Sequence, residues 1–287
     1  MKATAILVKS FTQDKSAGNP AGVVLQAEQL TDEQMQHIAK ELGFAESIFV
    51  LPSDKADFRL RFFAPNHEVD LCGHGTIATF HTLLEHGLID LGGADQKELT
   101  QETRAGLLGV TCHKDGRIVM AQTEPVFGEV EHDKTRIAKL LSIAEDDIAD
   151  DLPIQVVSTG TPKLLIPLRS LEAVRAIKPD LEGVKYYCRS TTARGFYPFT
   201  TESPIPNADF FARQFNPLAD ENEDPVTGVA AGALGCYAKK YNLYDKQNFV
   251  VTQGYDLGKG GNMFVDVTNG VKVGGYAVVY GEEELEV

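Results

Sequence analysis

No stretch of this sequence reaches the roughly 18 consecutive apolar residues that a membrane-spanning helix needs. The apolar run at the start, Met1 to Val8, is too short for a secretory signal and leads straight into Lys9 and Ser10. Positive charge is scarce as well: 27 Lys and Arg stand against 41 Asp and Glu, a formal net charge of −14, and no basic stripe appears. That balance argues against a nucleic-acid backbone or an anionic membrane as principal partner, while a local pocket can still receive a small anion. Cysteine is sparse and scattered. Cys72, Cys112, Cys188 and Cys236 show no C-x-x-C spacing, so neither a zinc site nor a disulfide framework is indicated, and the histidines show no paired metal spacing on one helix face. A cytoplasmic soluble protein is expected. With 43% hydrophobic content, the 287 residues can form one large core or two of ordinary size.

What the chain does contain is a repeat. Arg61, Phe63 and Pro65, followed by Glu68, lead into Cys72-Gly73-His74-Gly75-Thr76-Ile77-Ala78; Arg213, Phe215 and Pro217, followed by Asp224, lead into Thr227-Gly228-Val229-Ala230-Ala231. A slide of 152 residues superposes Arg, Phe and Pro, and a slide of 155 superposes Gly73 on Gly228, Ala78 on Ala233, Leu88 on Leu243 and Asp90 on Asp245. Two half-molecules follow: residues 1–125, joined by a C-terminal strand at about 277–287, and residues 126–276. The free N–H groups and dipole of a helix start favour an anion, so two such starts suit a small carboxylate.

Local patterns predict the elements. Thr31-x-x-Gln34 is a capping box, Met35, Ile38, Ala39 and Leu42 form one stripe, and Gly43 stops that helix. Phe44 to Leu51 and Asp57 to Phe63 read as a hairpin. Helices from about Gly73 to His86 and from about Val229 to Tyr241 are apolar nearly all round, as helices wrapped by a sheet must be. In the second half, Asp133 to Leu141 reads as a helix, and Ile154 to Ser158, Lys163 to Pro167, Lys185 to Ser190 and Gly195 to Phe199 as strands. The fold class is α+β: two pseudo-symmetric domains, each a many-stranded, mostly antiparallel sheet around a central α-helix.

Four residues could carry chemistry. Strand alternation puts Glu46 on the face of Phe44, Ile48 and Val50, where scarce water raises a carboxyl pKa and suits a group that takes and returns a proton. Alternatively it keeps its head in solvent or pairs with Arg59 or Arg61. His74 sits where the helix dipole disfavours imidazolium, so a neutral ring could polarise a carbonyl, shuttle a proton, or simply cap its own helix. Asp224 precedes Pro225 and is held extended, facing a ligand, capping the turn, or joining Asp220, Glu221 and Glu223 in a solvated acidic loop. Cys72, just before a helix start, is either an acidified nucleophile or a small buried side chain.

With Gly18-Asn19-Pro20-Ala21-Gly22-Val23, Ala45-Glu46-Ser47, Arg61-Phe62-Phe63-Ala64-Pro65, Cys72-Gly73-His74-Gly75-Thr76, Ser158-Thr159-Gly160-Thr161-Pro162 and Glu223-Asp224-Pro225-Val226-Thr227-Gly228 in this order, the chain resembles the PhzF-like family of phenazine-biosynthesis isomerases over nearly its whole length. The resemblance implies domains of the diaminopimelate epimerase type, an active site in the cleft between them, a homodimer, a small carboxylate substrate, and neither metal nor organic cofactor. It implies that Glu46 is the general acid/base moving a proton between carbons of a cyclic, amino-acid-like substrate, with His74 and Asp224 completing the site. It assigns Asn19, Ser47, Gly73, Gly75, Thr227, Gly228 and Val229 to substrate binding. There is one departure at the site: the best-studied family isomerases carry serine where this chain has Val229, which removes a hydrogen bond of about 0.5 to 1.5 kcal/mol and makes that wall apolar.

Two rivals remain on the same fold. A two-thiol racemase or epimerase needs a cysteine at each helix start; Cys72 fills one such place, but the matching place reads as Pro225, with Cys236 a couple of helical turns further on, so the pair is broken. A small-molecule binding protein or pseudoenzyme would keep the site and lose turnover, a reading that Val229 motivates and the set of Glu46, His74 and Asp224 opposes.

Overall fold

The computed structural model describes residues 2–218 and 222–286, so Asp220 and Glu221 of the acidic loop lie outside the described residues. The first half comprises β1 (Lys2–Ser10), β2 (Asn19–Val24), α1 (Asp32–Leu42), β3 (Ser47–Leu51), β4 (Phe58–Phe63), β5 (Glu68–Val69), α2 (Gly73–Glu85), β6 (Gln96–Thr103), β7 (Gly106–His113) and β8 (Ile118–Ala121). Next come β9 (Val126–Glu131), α3 (Lys134–Leu141), β10 (Ile154–Ser158), β11 (Lys163–Pro167), α4 (Leu171–Ala176), α5 (Leu181–Ser190), β12 (Phe196–Thr200), β13 (Phe210–Ala212), β14 (Gln214–Phe215) and β15 (Glu223–Asp224). The chain closes with α6 (Gly228–Lys240), β16 (Asn248–Gln253), β17 (Gly261–Asp266), β18 (Lys272–Gly275) and β19 (Ala277–Glu286).

Two compact units result, residues 1–121 with 274–287, and residues 122–273. The second starts at Gln122 because the backbone there bonds into it: Gln122 N–H donates to the Val271 carbonyl at 2.8 Å and Thr123 N–H to that of Thr159 at 3.3 Å. In the first unit β1 pairs antiparallel with β2 and β19, β2 runs parallel to β3, and β3, β4 and β5 are successively antiparallel. Helix α2 lies against β1, β2, β3, β8 and β19, which is why nine of its residues, His74 to Phe80 with Thr82 and Leu83, are buried. Helix α1 keeps the expected capping box, with Gln34 N–H donating to Thr31 Oγ1 and Thr31 N–H to Gln34 Oε1. Its stripe of Met35, Ile38 and Ala39 packs with Ala5, Val24, Phe49, Phe63 and Leu285.

The second unit repeats this plan. Strands β9, β10 and β11 are antiparallel, β11 runs parallel to β12, and β12 pairs antiparallel with β13 and β14. Helix α6 lies against β10, β11, β16 and β17, while α3, α4 and α5 cover an outer core that includes Leu164, Ile166, Phe196, Phe211 and Phe215.

Two readings from the sequence need correction. Residues 185–190 are the end of helix α5 and not a strand: Asp180 caps its start, accepting from Gly183 N–H at 3.1 Å, and Val184, Tyr187 and Cys188 recur at helical spacing to enter the outer core. The aromatic pair Tyr186-Tyr187 favours strand locally, and burial of that stripe overrides it. Strand β3 begins at Ser47, so Phe44 to Glu46 precede it and alternation cannot be counted from Phe44.

Candidate functional site

The first helix start gathers three functional side chains. Cys72 is the N-cap of α2, where its sulfur accepts from Gly75 N–H at 3.3 Å. Ile48 of β3 packs onto Gly75: a methyl group there would lie 2.8 Å from Ile48 Cγ1 and 3.3 Å from Cys72 Sγ. This close approach brings the residue ahead of the strand, Glu46, to the helix tip. The Cys72 thiol donates to Glu46 Oε2 at 3.4 Å and meets His74 Nδ1 at 3.3 Å, and His74 Nε2 lies 3.5 Å from Glu46 Oε2. Gly75→Ala should therefore cost about 1 to 3 kcal/mol through overpacking, since the gain in helix propensity of at most about 1 kcal/mol is smaller; urea midpoints of the two proteins check this.

Burial sets the state of the ring. His74 is 8% exposed, and desolvation pushes its imidazole down to about 4, so it is neutral at pH 7, as its place at a helix start suggests. Its carbonyl accepts from the buried Ser10 hydroxyl at 2.7 Å. The Glu46 side chain is 23% exposed, mostly buried, and its Oε2 meets Cys72 and His74. Arg61 instead grips Glu68 through two bonds of 2.8 and 2.9 Å and stacks over the Phe63 ring.

The second unit reproduces that frame closely. Arg213 holds Glu223 through the same two bonds, 2.8 and 2.9 Å, over the Phe215 ring. Phe63 pairs with Glu68 and Phe215 with Glu223 in the strand registers, both helices have 13 residues, and Leu88 N–H to Leu83 is mirrored by Leu243 N–H to Ala238. So Glu223, and not Asp224, is the counterpart of Glu68. In the same way Thr227 matches Cys72, Val229 matches His74 and Asp224 matches Val69, while the parallel pairs Gly22–Ser47 and Leu164–Phe196 make Gly195 the match of Glu46. The place matching Cys72 is thus Thr227 and not Pro225, and a two-thiol mechanism still lacks its second sulfur. Cys236, nine residues after Thr227, is buried and its thiol is pushed up to about 11.

Asp224 sits in a polar network. Thr227 donates its hydroxyl to Asp224 Oδ2 at 2.6 Å, Gln253 Nε2 donates to the Asp224 carbonyl at 2.7 Å, and Gln253 Oε1 accepts from Thr227 N–H and the Tyr197 hydroxyl. The Thr227 hydroxyl oxygen also accepts from Gln253 Nε2 at 3.2 Å, and α6 starts without a side-chain cap. Val229 lies against Gly160, and its carbonyl accepts from Thr159 at 3.0 Å.

Lys163 is a functional candidate that sequence reasoning missed, since a lone lysine opening an apolar strand carries no spacing signal. Its side chain is 3% exposed, its ammonium lies near Gly195 and makes no hydrogen bond to a described residue, and desolvation pushes it down to about 8 despite the opposing pull of Asp224. Between pH 8 and 10.5 the unfolded chain holds this proton and the folded chain does not, so the fold gains stability as pH rises through that window. Below pH 8 the buried charge costs up to about 3 kcal/mol. Lys163→Met should be the more stable protein at pH 7 by that order, with the advantage fading towards pH 10.5; denaturant midpoints of both proteins at the two pH values check this.

The other expected binding residues take varied positions. Asn19 is buried at the start of β2, and Gly73 and Gly228 open their helices. The Ser47 hydroxyl turns away from α2 towards Leu42, Phe44 and Gly22, where it is buried without a hydrogen bond, so its backbone is what Ser47 presents beside Glu46.

Each unit is a sheet wrapped around a central helix, the diaminopimelate epimerase-like fold. A hydroxyproline epimerase from Agrobacterium vitis shares it at a TM-score of 0.65 with 13% identity over 99% of this chain and 91% of that one. The model of the phenazine biosynthesis-like family matches residues 8–283. A Bacillus subtilis protein named uncharacterized isomerase YfhB is 36% identical over 97% of this chain and 94% of its own length. The PhzF-family protein of Bacillus anthracis, known as a crystal structure, superposes at a TM-score of 0.91 with 33% identity and full coverage of both chains. The chain belongs to the phenazine biosynthesis-like family and is an isomerase of the PhzF-like type. Among the described residues no helix is long and apolar enough to cross a membrane.

Proposed function

We propose that the protein moves a proton between carbons of a small carboxylate-bearing substrate, amino-acid-like or cyclic, by general acid/base catalysis and without a cofactor, one substrate being served by both units. Glu46 is the acid/base, His74 and Asp224 position and polarise the substrate, and the amides near Gly73 and Gly228 hold its carboxylate. Asn19, Ser47, Gly75, Thr227 and Val229 complete the walls, and the enzyme acts as a cytoplasmic homodimer. The observation that carries this reading is the meeting of Glu46, mostly out of water, with neutral His74 and Cys72 at the start of α2.

The mismatch between the units bears on the kind of isomerisation. Gly195, Thr227 and Val229, the matches of Glu46, Cys72 and His74, have no group that exchanges a proton near neutrality, Asp224 is engaged as an acceptor by Thr227, and Lys163 near Gly195, though pushed down to about 8, is 3% exposed. One base that removes a proton and returns it from the same side shifts hydrogen along a carbon frame; inverting a single centre needs a second group on the opposite face. Incubation in deuterium oxide with a panel of unsaturated, cyclic and simple α-amino carboxylates, read by proton NMR, tests this. Deuterium appearing with a displaced double bond supports the proposal. Inversion at one carbon would identify a second base, and no exchange with any member would favour a binding protein.

A further inference from the structure

We propose that Glu46, Cys72 and His74 also form an inhibitory site for a borderline-soft divalent cation, zinc foremost. Their three donor atoms make a nearly equilateral triangle: Cys72 Sγ to Glu46 Oε2 is 3.4 Å, Glu46 Oε2 to His74 Nε2 is 3.5 Å, and Cys72 Sγ to His74 Nε2 is 3.8 Å. Zinc bonds of about 2.0 to 2.3 Å opened to tetrahedral angles require donor separations of about 3.3 to 3.6 Å. The triangle matches the edge lengths of one face of a zinc tetrahedron, and a turn of the His74 ring, whose Nδ1 now lies nearer Cys72 Sγ than Nε2 does, would aim a nitrogen lone pair into it and leave the fourth position open. The Glu46–His74 separation is longer than a good hydrogen bond, so little is lost when a metal draws both groups in.

The donor set selects the ion. One sulfur, one imidazole nitrogen and one carboxylate oxygen suit zinc, cadmium or cobalt and not magnesium or calcium, which take oxygen ligands. Binding replaces the Cys72 S–H bond by a metal–sulfur bond and releases that proton to the buffer. It also occupies the Glu46 oxygen that would take the substrate proton. Spacing along the chain hides such a site, because one ligand comes from the residue before β3 and two from the tip of α2.

Titration of tag-free protein with zinc sulfate in a non-coordinating buffer, followed by calorimetry, is expected to show one ion per chain. Cobalt is expected to give intense tetrahedral visible bands with a sulfur-to-cobalt charge-transfer band. Cys72→Ser, checked for native circular dichroism, should abolish the charge-transfer band and weaken zinc at least about tenfold by removing the soft ligand, whereas Cys236→Ser should change neither. If Cys72→Ser disturbs folding, alkylation of native protein with and without zinc replaces it, and protection of Cys72 is the expected result. Zinc binding of wild-type strength in Cys72→Ser, an octahedral cobalt spectrum, or no heat would overturn the proposal. Calorimetry and the cobalt spectrum read the metal directly, so they are independent of whether any carboxylate exchanges hydrogen.

Discussion

Glu46→Gln should fold as the wild type, bind small carboxylates with similar affinity, and exchange carbon-bound hydrogen at least about 100-fold and up to about 10,000-fold more slowly, the span that one positioned acid/base contributes. The amide keeps the shape and the acceptor oxygen facing the Cys72 thiol, but it cannot take a proton near neutrality. The loss should fall in kcat and not in KM, because the proposed function gives the substrate carboxylate to the helix-start amides and not to the acid. Deuterium incorporation, with affinity followed by thermal shift, separates the two quantities. Exchange at the wild-type rate would remove Glu46 from its role and leave Cys72 as the next candidate.

Arg213→Ala should be among the most destabilising single changes in the chain, costing about 3 to 5 kcal/mol. Its guanidinium, with the side chain 16% exposed, satisfies both oxygens of Glu223 and also donates to the carbonyls of Val174 and Ile177, where α4 ends. Truncation leaves a mostly buried carboxylate and two carbonyls without that donor and removes the plane stacked over Phe215. Arg213→Lys recovers little, since an ammonium cannot make the paired, planar contact. Equilibrium urea unfolding measures the loss, and Arg213→Ala, Glu223→Ala and the double variant complete a cycle. A double variant no less stable than either single one would show that the main cost is the abandoned charge.

Much of the fold was legible because the duplication writes its own register. The slide of 155 residues is realised residue for residue in α2 and α6, down to the paired bonds that close them at Leu88 and Leu243. The outer helices were harder to read. Helix α4 is only six residues long, too short for periodicity to speak, and the apolar and aromatic side chains of α5 read as a strand until their partners α3 and β12 are in place. At the site, the family resemblance put Glu46 and His74 together, but the residues alone joined neither to the other nor to Cys72, because their contact depends on Gly75 allowing Ile48 to approach the helix tip. Lys163 and Gln253 escaped altogether. Each is a buried polar residue in an apolar strand, and which groups it meets is decided by strands far away in sequence.

The matched pairs Glu46 with Gly195, Cys72 with Thr227 and His74 with Val229 have an evolutionary consequence. In the duplicated frame the second copy lacks the acid, the thiol and the imidazole that the first brings together at one helix start. Under the proposed function Val229 belongs to the substrate walls, so exchanging it for a polar or bulkier residue should alter which molecules fit, while the acid, the thiol and the imidazole keep their mutual distances. On that proposal, divergence within such a lineage runs along substrate choice, with the reaction itself passing unchanged from one molecule to the next.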